Sequence, residues 1–300
     1  MRVGICIPIS ERGPERKLYR YSEMRELAVA TDQGGLDSIW VADHLFFVPP
    51  QGETRGVWES LTMLAAMADA TSRVELGPLV LCTPFRNPGL IAWTANTLDE
   101  ISSGRFVLGL GAGWHQPEFD AFGFEFERRV SLFEESLNIV VPLLRDGRAD
   151  YDGRLTRGQA ELRPAGPRAG KGGPPILIAG TKPRMLRLIA EWADRWNSVW
   201  WGLPNADFRA ERDALFAACQ ARGREPTGIE VTVGVVVKDP ATADGNDADA
   251  LRGDVDHLAE AFEAWRAEGV AEVMCRLEPP SAGIVETTAR AARAARVAAS

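Results

Sequence analysis

The chain has 300 residues, 45% of them hydrophobic and 25% charged, with a formal net charge of -8 at pH 7. That composition is ordinary for a globular protein, and the negative balance argues against nucleic acid as the main partner. No run of apolar residues is long enough for a membrane span, and the opening MRVGICIPIS is too short and too soon broken by Pro8 to read as a secretory signal, so a cytoplasmic enzyme or binding protein is the expectation.

Along the chain, short apolar runs alternate with longer helix-like segments. A strand is predicted over 3–8 (VGICIP), followed by a helix over 22–35 with Ser22 as candidate N-cap and Gly34-Gly35 as its stop. Next come a strand at 38–43 (SIWVAD), a helix at 58–71, a strand at 74–82 and a helix at 88–104, the last with Pro88 near its start and Gly104 past its end. Strands at 105–113, 175–180, 197–202, 229–237 and 271–277 pair with helices at 129–145, 183–194, 205–222, 250–268 and 281–298. Most of the strand runs are continuously apolar, as parallel strands covered on both faces require. Eight strand–helix units predict an α/β protein, a (β/α)8 TIM barrel forming one domain over residues 1–300. A doubly wound open sheet is the alternative, and the lack of GxGxxG after the first strand counts against its dinucleotide-binding version. Residues 146–175 interrupt the pattern: they carry no helix period, and eight of the twelve residues 164–175 are Gly or Pro. They read as an insertion after strand four that forms a short hairpin, a lid, or both.

Barrels of this kind carry their active sites at the C-terminal ends of the strands. Strand two ends there on Asp43-His44. A histidine titrates near neutrality, which makes His44 the candidate general acid or base. Asp43 either orients it or meets a ligand, since consecutive strand residues point to opposite faces. The plain alternative is a strand that simply surfaces. His115 is a second candidate, and His257 reads as a surface helix residue. Strand four ends in GLGAGWHQPEF, where Gly109, Gly111 and Gly113 either admit a flat ring or phosphate close to the backbone or mark a barrel-corner kink. Strand five ends in IAGTKPR, a turn opening a helix whose first N–H groups suit a phosphate. From Arg154 to Arg187 there are eight Lys/Arg and one acid, Glu161. That segment is either a landing zone for a polyanionic tail or a solvated basic loop.

Trp40, Trp114, Trp196, Trp200 and Trp201 lie near strand ends, suiting a flat apolar ligand or packing of core and rim. Cys6, Cys82, Cys219 and Cys275 lack metal-like or redox-like spacing and read as buried reduced thiols. With three scattered histidines, no metal site is expected. A glycosidase needs two carboxylates across a cleft, and the strand ends offer Asp43 and little else.

Three stretches, SIWVADHL, ELGPLVLCTPFRNPGLIAWTANTLDEISSGRFVLGLGAGWHQPEFDAFG and PPILIAGTKPRMLRLIAEWADRWN, together resemble the bacterial luciferase-like monooxygenase superfamily, which includes oxidoreductases dependent on coenzyme F-420, a deazaflavin. The resemblance runs nearly end to end. It implies a barrel with the insertion after strand four and a tricyclic ring in its mouth. A bulge at Leu79, Val80 and Leu81 would support the ring, with a non-proline cis peptide at Leu79-Val80. Gly111, Ala112 and Gly113, with Ile178, Ala179, Gly180 and Thr181, would hold the ribityl chain and phosphate. Asp43-His44 matches the Asp-His pair of the deazaflavin branch, where the flavin branch more often has Glu-His or His-His. The implied activity is hydride transfer between F-420 and a small organic substrate, with His44 as proton donor or acceptor and Asp43 beside it. The alternative is an FMN-dependent monooxygenase using reduced flavin and oxygen; a cofactor-binding barrel without turnover is a third reading. A homodimer and a separate reductase or dehydrogenase that regenerates the cofactor are implied as well. One departure concerns the substrate: Trp114 stands where the family's sugar-phosphate dehydrogenases carry Glu, which puts glucose 6-phosphate in doubt.

Overall fold

The computed structural model describes residues 1–13, 15–50, 52–241 and 250–297. The continuously apolar runs become β1 (Arg2–Cys6), β2 (Ser38–Val41), β3 (Glu75–Pro78 and Leu81–Cys82), β4 (Leu108–Gly111), β5 (Ile176–Ala179), β6 (Arg195–Trp201), β7 (Glu230–Lys238) and β8 (Glu272–Glu278). All neighbouring pairs among them are parallel. The hydrogen-bonded path runs β3-β2-β1-β8-β7-β6-β5-β4-β3, beginning on Glu75–Pro78 and ending on Leu81–Cys82. The two ends of the path are halves of one interrupted strand. A bridge between Leu76 and Phe106 joins the first half to the approach to β4, with Val107 N donating to Leu76 O at 2.9 Å. The sheet therefore closes into the predicted barrel, and the open-sheet alternative falls.

Helices α1 (Tyr21–Gln33), α2 (Ser60–Ala70), α3 (Pro88–Ile101), α4 (Gln116–Phe122), α5 (Arg129–Asp146), α6 (Pro183–Trp192), α7 (Ala206–Ala221), α8 (Val255–Ala267) and α9 (Ala282–Val297) complete the order. Local chemistry sets several starts. Asn87 accepts from the N–H groups of Gly89 and Leu90 ahead of Pro88, and Glu59 accepts from Thr62 N, satisfying donors that the helix itself leaves free. Asp254 accepts from His257 N, so α8 starts at Val255. The residues before it, Ala250–Arg252, form a parallel strand beside β7, correcting the expected helical start at 250. Residue 298 of the last predicted helix lies outside the described residues.

The inserted segment is a hairpin, Arg148–Asp152 against Arg157–Glu161. It is not a lid: none of its residues lines the barrel mouth. It packs on α5, whose Ile139 fills the space where Gly158 has no Cβ, and the following loop is bonded to α3 through Trp93, Asn96 and Asp99. The wall over the mouth comes instead from the β2–α2 connection. There Phe46–Phe47 pairs with Arg55–Gly56, and Val57 bridges to Ser10.

The barrel interior is layered. At the N-terminal ends of the strands, Arg2 and Arg195 face Glu75, Glu230 and Glu272. Arg195 lies 2.8 Å from Glu75, 3.0 Å from Glu230 and 3.8 Å from Glu272. Glu272 is fully buried; burial pushes its carboxyl up, while Arg2, Ser38 and Arg195 pull against that. Trp40 caps this layer, its Nε1 donating to Ser38 at 2.8 Å and to Glu272 at 2.9 Å. Above lies an apolar plug of Trp40, Val107, Leu177 and Met274, with Cys6, Leu79 and Val80 against it. The ionic floor and the plug seal one end, so any ligand enters from the other. Removing one partner of a buried pair leaves an uncompensated charge. Arg195→Met is therefore expected to destabilise the fold by about 3–5 kcal/mol in urea unfolding, and an unchanged midpoint would show that the floor does not depend on it.

Candidate active site

The open end holds a cavity of about 430 Å³, within the about 300–1,000 Å³ common for small-molecule sites. Its walls come from the ends of β2, β3, β4, β5, β6 and β8, the loop after β1 and the β2–α2 connection. Of the residues expected to meet a cofactor, Leu79, Val80, Leu81, Gly113 and Ala179 line it, as do both members of the Asp43-His44 pair. Gly111, Ala112, Ile178, Gly180 and Thr181 do not. Ile178 is fully buried among the residues packed around the barrel. Gly180 and Thr181 lie at the start of α6, whose N-cap Lys182 makes no side-chain capping bond.

The break in β3 makes the apolar shelf. The Leu79–Val80 peptide is cis, as the family resemblance implies, and the break turns Val80 toward β4. A Cβ on Gly109 would lie 2.0 Å from Pro78 O, and one on Gly111 would lie 2.7 Å from the Val80 side chain. These glycines are required by the chain's own third strand, so the GLGAG pattern reports barrel packing there and not close approach of a ligand.

His44 and Asp43 part company. Asp43 is buried and its oxygens are occupied: Ser60 Oγ donates at 2.6 Å, Cys82 N at 2.7 Å, and Arg86 forks onto both oxygens at 2.7 and 2.9 Å. It staples the ends of β2 and β3 to α2 and makes no hydrogen bond to His44, so of the two roles expected for it the orienting one has no support in the geometry. The group that does is Glu118, in the first turn of α4. Glu118 is 1% exposed and accepts from the backbone N–H of Leu45 and Phe46. Its Oε2 lies 2.8 Å from His44 Nδ1. A carboxylate that accepts two backbone N–H groups makes His44 Nδ1 the donor, which leaves Nε2 as the nitrogen without a partner among the described residues. Phe47, Trp114 and His115 surround the ring at centroid distances of 5.7–6.1 Å.

Glu118 was not foreseen. Its signal lies in WHQPEF, where Pro117 begins a short helix and an acid follows in its first turn, the favoured place for one. The pattern is too brief to announce α4 from periodicity. His115 is structural: its Nε2 accepts from Val48 N at 3.0 Å, and burial holds its pKa below the ordinary value.

Asn197, buried and lining the cavity, supplies an orphaned acceptor. Thr232 Oγ1 donates to Trp196 O and so can only accept from Asn197 Nδ2, 2.9 Å away. That orients the amide and leaves Asn197 Oδ1 buried without a partner. A buried polar atom of this kind is costly unless a ligand donor meets it. Trp114 and Trp200 line the cavity, whereas Trp40 and Trp196 are core residues. In the basic 154–187 segment, Arg163, Arg168, Arg184 and Arg187 are ion-paired to Glu161, Asp99 and Glu134. Half of its eight cations are thus already engaged.

A family model described as luciferase-like monooxygenase matches residues 1–272. An F420-dependent glucose-6-phosphate dehydrogenase of Amycolatopsis mediterranei is 30% identical over 202 residues, covering 65% of this chain and 55% of that one. Matches to other curated relatives span 48–69% of their length. Among solved structures, an F420-dependent secondary alcohol dehydrogenase superposes with a TM-score of 0.80 at 17% identity, over 98% of this chain and 99% of that one. The monooxygenase RslO1 of Streptomyces bottropensis superposes at 0.76 and 22% identity, over 98% and 97%. The two structures establish the shared barrel.

Two outcomes follow from the carboxylate and histidine partners. Asp43→Ala strands Arg86 and Cys82 N and is expected to cost about 3–5 kcal/mol in chemical denaturation; an unaltered midpoint would return this side chain to ligand binding. His115 has a depressed folded pKa, so its contribution to stability is complete above its unfolded value of 6.5. That contribution is lost as pH falls below 6.5 through the folded pKa. His115→Gln should flatten this part of the stability–pH curve, and an identical curve would rule the histidine out as its source.

Proposed function

The chain belongs to the luciferase-like monooxygenase family, and on that premise we propose that it is a coenzyme F-420-dependent oxidoreductase acting on a small organic substrate. The observation that carries this reading is His44, held at Nδ1 by buried Glu118, with Nε2 unpartnered in a cavity walled by the Leu79–Val80 shelf. The Asp43-His44 sequence and the F420-dependent relative at 30% identity favour the deazaflavin. The residues fit such a group. Leu79, Val80 and Leu81 offer an apolar face to a flat ring, and Asn197 Oδ1 offers an acceptor to a ring N–H. Gly180, Thr181 and the open N-terminus of α6 offer backbone donors to a phosphate. Gly113 and Ala179 lie between shelf and turn, whereas Gly111, Ala112 and Ile178 act by shaping the strands.

When bound, F-420 supplies the hydride chemistry. The protein's part is placement and proton handling. Glu118 fixes the His44 tautomer, and His44 Nε2 holds or delivers the proton at the reacting carbon's neighbour. Phe47, Trp114 and His115 keep bulk water from the imidazole. Asp43 acts indirectly, by fixing the strand end from which His44 projects. A homodimer and a separate cofactor-regenerating reductase or dehydrogenase belong to the same reading.

An FMN-dependent monooxygenase is the second reading, favoured by the family's own description and by a shelf and turn that would accept either ring. Titration of the protein with both cofactors separates them: F-420 is expected to bind more tightly, and tight FMN binding with weak F-420 binding would overturn the proposal. His44→Ala should lower turnover by about 10²–10⁴ with cofactor affinity retained, and Glu118→Gln should act in the same direction. Turnover unaffected by His44→Ala would remove it from the chemistry.

A further inference from the structure

Three arginines reach the cavity from separate elements: Arg12 in the loop after β1, Arg55 in the β2–α2 connection and Arg276 on β8. Acids nearby do not balance them. Glu11 is taken by Arg16 at 2.8 Å and by Gly56 N at 3.0 Å. Asp43 is taken by Arg86, and Glu118 by His44 and backbone N–H groups. Glu278 reaches Arg276 at 3.0 Å and, from beyond ion-pair distance, also favours the charged form of Arg12, so one carboxylate is shared between two cations. Among the described residues, the guanidinium groups of Arg12 and Arg55 have no carboxylate within ion-pair distance, and Arg12 Nε is buried without a hydrogen-bond partner. Burial, with Arg276 and Arg55 close by, holds Arg12 below its ordinary pKa range. Clustered, partly desolvated cations with fewer counter-charges than cations are unfavourable in the empty site and become favourable when an anion arrives.

Their position separates them from the cofactor turn. In the eight-membered ring, β1 lies across from β5, which leads into Gly180 and Thr181, and β8 lies across from β4. Arg276 stacks over Trp200, with 4.7 Å from its guanidinium carbon to the ring centroid. Trp200 in turn lines the cavity and is 38% exposed. A planar cation fork beside an aromatic face is suited to a ligand with a carboxylate or phosphate next to an apolar or unsaturated portion.

We propose that Arg12, Arg55 and Arg276 form an oxyanion subsite for the substrate, so that this enzyme acts on carboxylate- or phosphate-bearing compounds. Assigning the site to substrate rests on the reading above, in which the cofactor ring lies on the Leu79–Val80 shelf beside Asn197 and its phosphate lies at the Gly180-Thr181 turn.

The test is calorimetric titration of the cofactor-free protein with benzoate, phenyl phosphate and the neutral isostere benzamide. At least one of the two anions should bind tenfold or more tightly than benzamide, and the tighter one names the oxyanion. Arg12→Gln and, separately, Arg55→Gln should erase most of that preference. Either variant serves if its thermal unfolding matches the parent. Equal binding of anion and isostere, no anion binding at millimolar concentration, or a preference that survives both substitutions would overturn the proposal. F-420 titration of the same variants keeps the two readings apart. Unchanged F-420 affinity in Arg12→Gln supports a substrate subsite, whereas a tenfold loss assigns the cations to the cofactor tail and overturns it. Failure of F-420 to bind the parent protein would strike the cofactor reading while leaving the benzoate comparison intact.

Discussion

The interruption of the third strand between Pro78 and Leu81 is the constraint on which the rest of the molecule depends. Its first half hydrogen-bonds to β2 and its second to β4, so the barrel closes only because one strand changes partner partway along. The residues released from pairing, Leu79 and Val80, project into the mouth as an apolar shelf. The same displacement brings Pro78 O and the Val80 side chain so close to β4 that Gly109 and Gly111 are the only residues that fit. Fold closure and the ligand-facing surface are thus one geometric event, and Asp43 secures it from the side by accepting from Cys82 N.

Carboxylates in this chain divide by burial and partner. Asp43 and Glu118 are both nearly inaccessible, and each is saturated by donors, yet their consequences differ. Asp43 spends its lone pairs on a guanidinium, a hydroxyl and a backbone N–H, and becomes a staple. Glu118 spends one oxygen on the backbone and turns the other to an imidazole that itself reaches the cavity. Only the second arrangement passes orientation to a titratable group next to a ligand space, as positioned carboxylate–histidine pairs do in catalysis.

Arginines show the complementary pattern. At the closed end of the barrel, Arg2 and Arg195 are each ion-paired among three glutamates, giving a floor beneath Trp40 in which both cations have carboxylate partners. At the open end, Arg12 and Arg55 have no such match. The basic segment 154–187, prominent in the linear chain, has half of its cations ion-paired along the flank of the barrel, and its hairpin stays clear of the mouth. Charge density along a sequence overstates the free charge, because pairing depends on acids distant in the chain, such as Asp99 and Glu134.

Eight apolar runs separated by amphipathic segments were enough to determine the barrel, because strands covered on both faces must be continuously apolar and their crossover helices must show one apolar stripe. The strand-end rule was likewise enough to place His44 at the cavity, and the resemblance located the Leu79–Val80 cis bond. What the sequence could not carry was the partner of each group. Adjacent in the chain, Asp43 and His44 left open whether they form a pair; the end of β2 turns them apart, and the carboxylate that meets the histidine lies 74 positions on in a helix too short to show a period. Gly109 and Gly111 in β4 read as room for a ligand, yet their space belongs to β3. Three arginines at positions 12, 55 and 276 have no sequence relation at all. Tertiary structure alone decided these points, because hydrogen bonds, steric exclusion and charge balance act through distances that only the closed barrel sets.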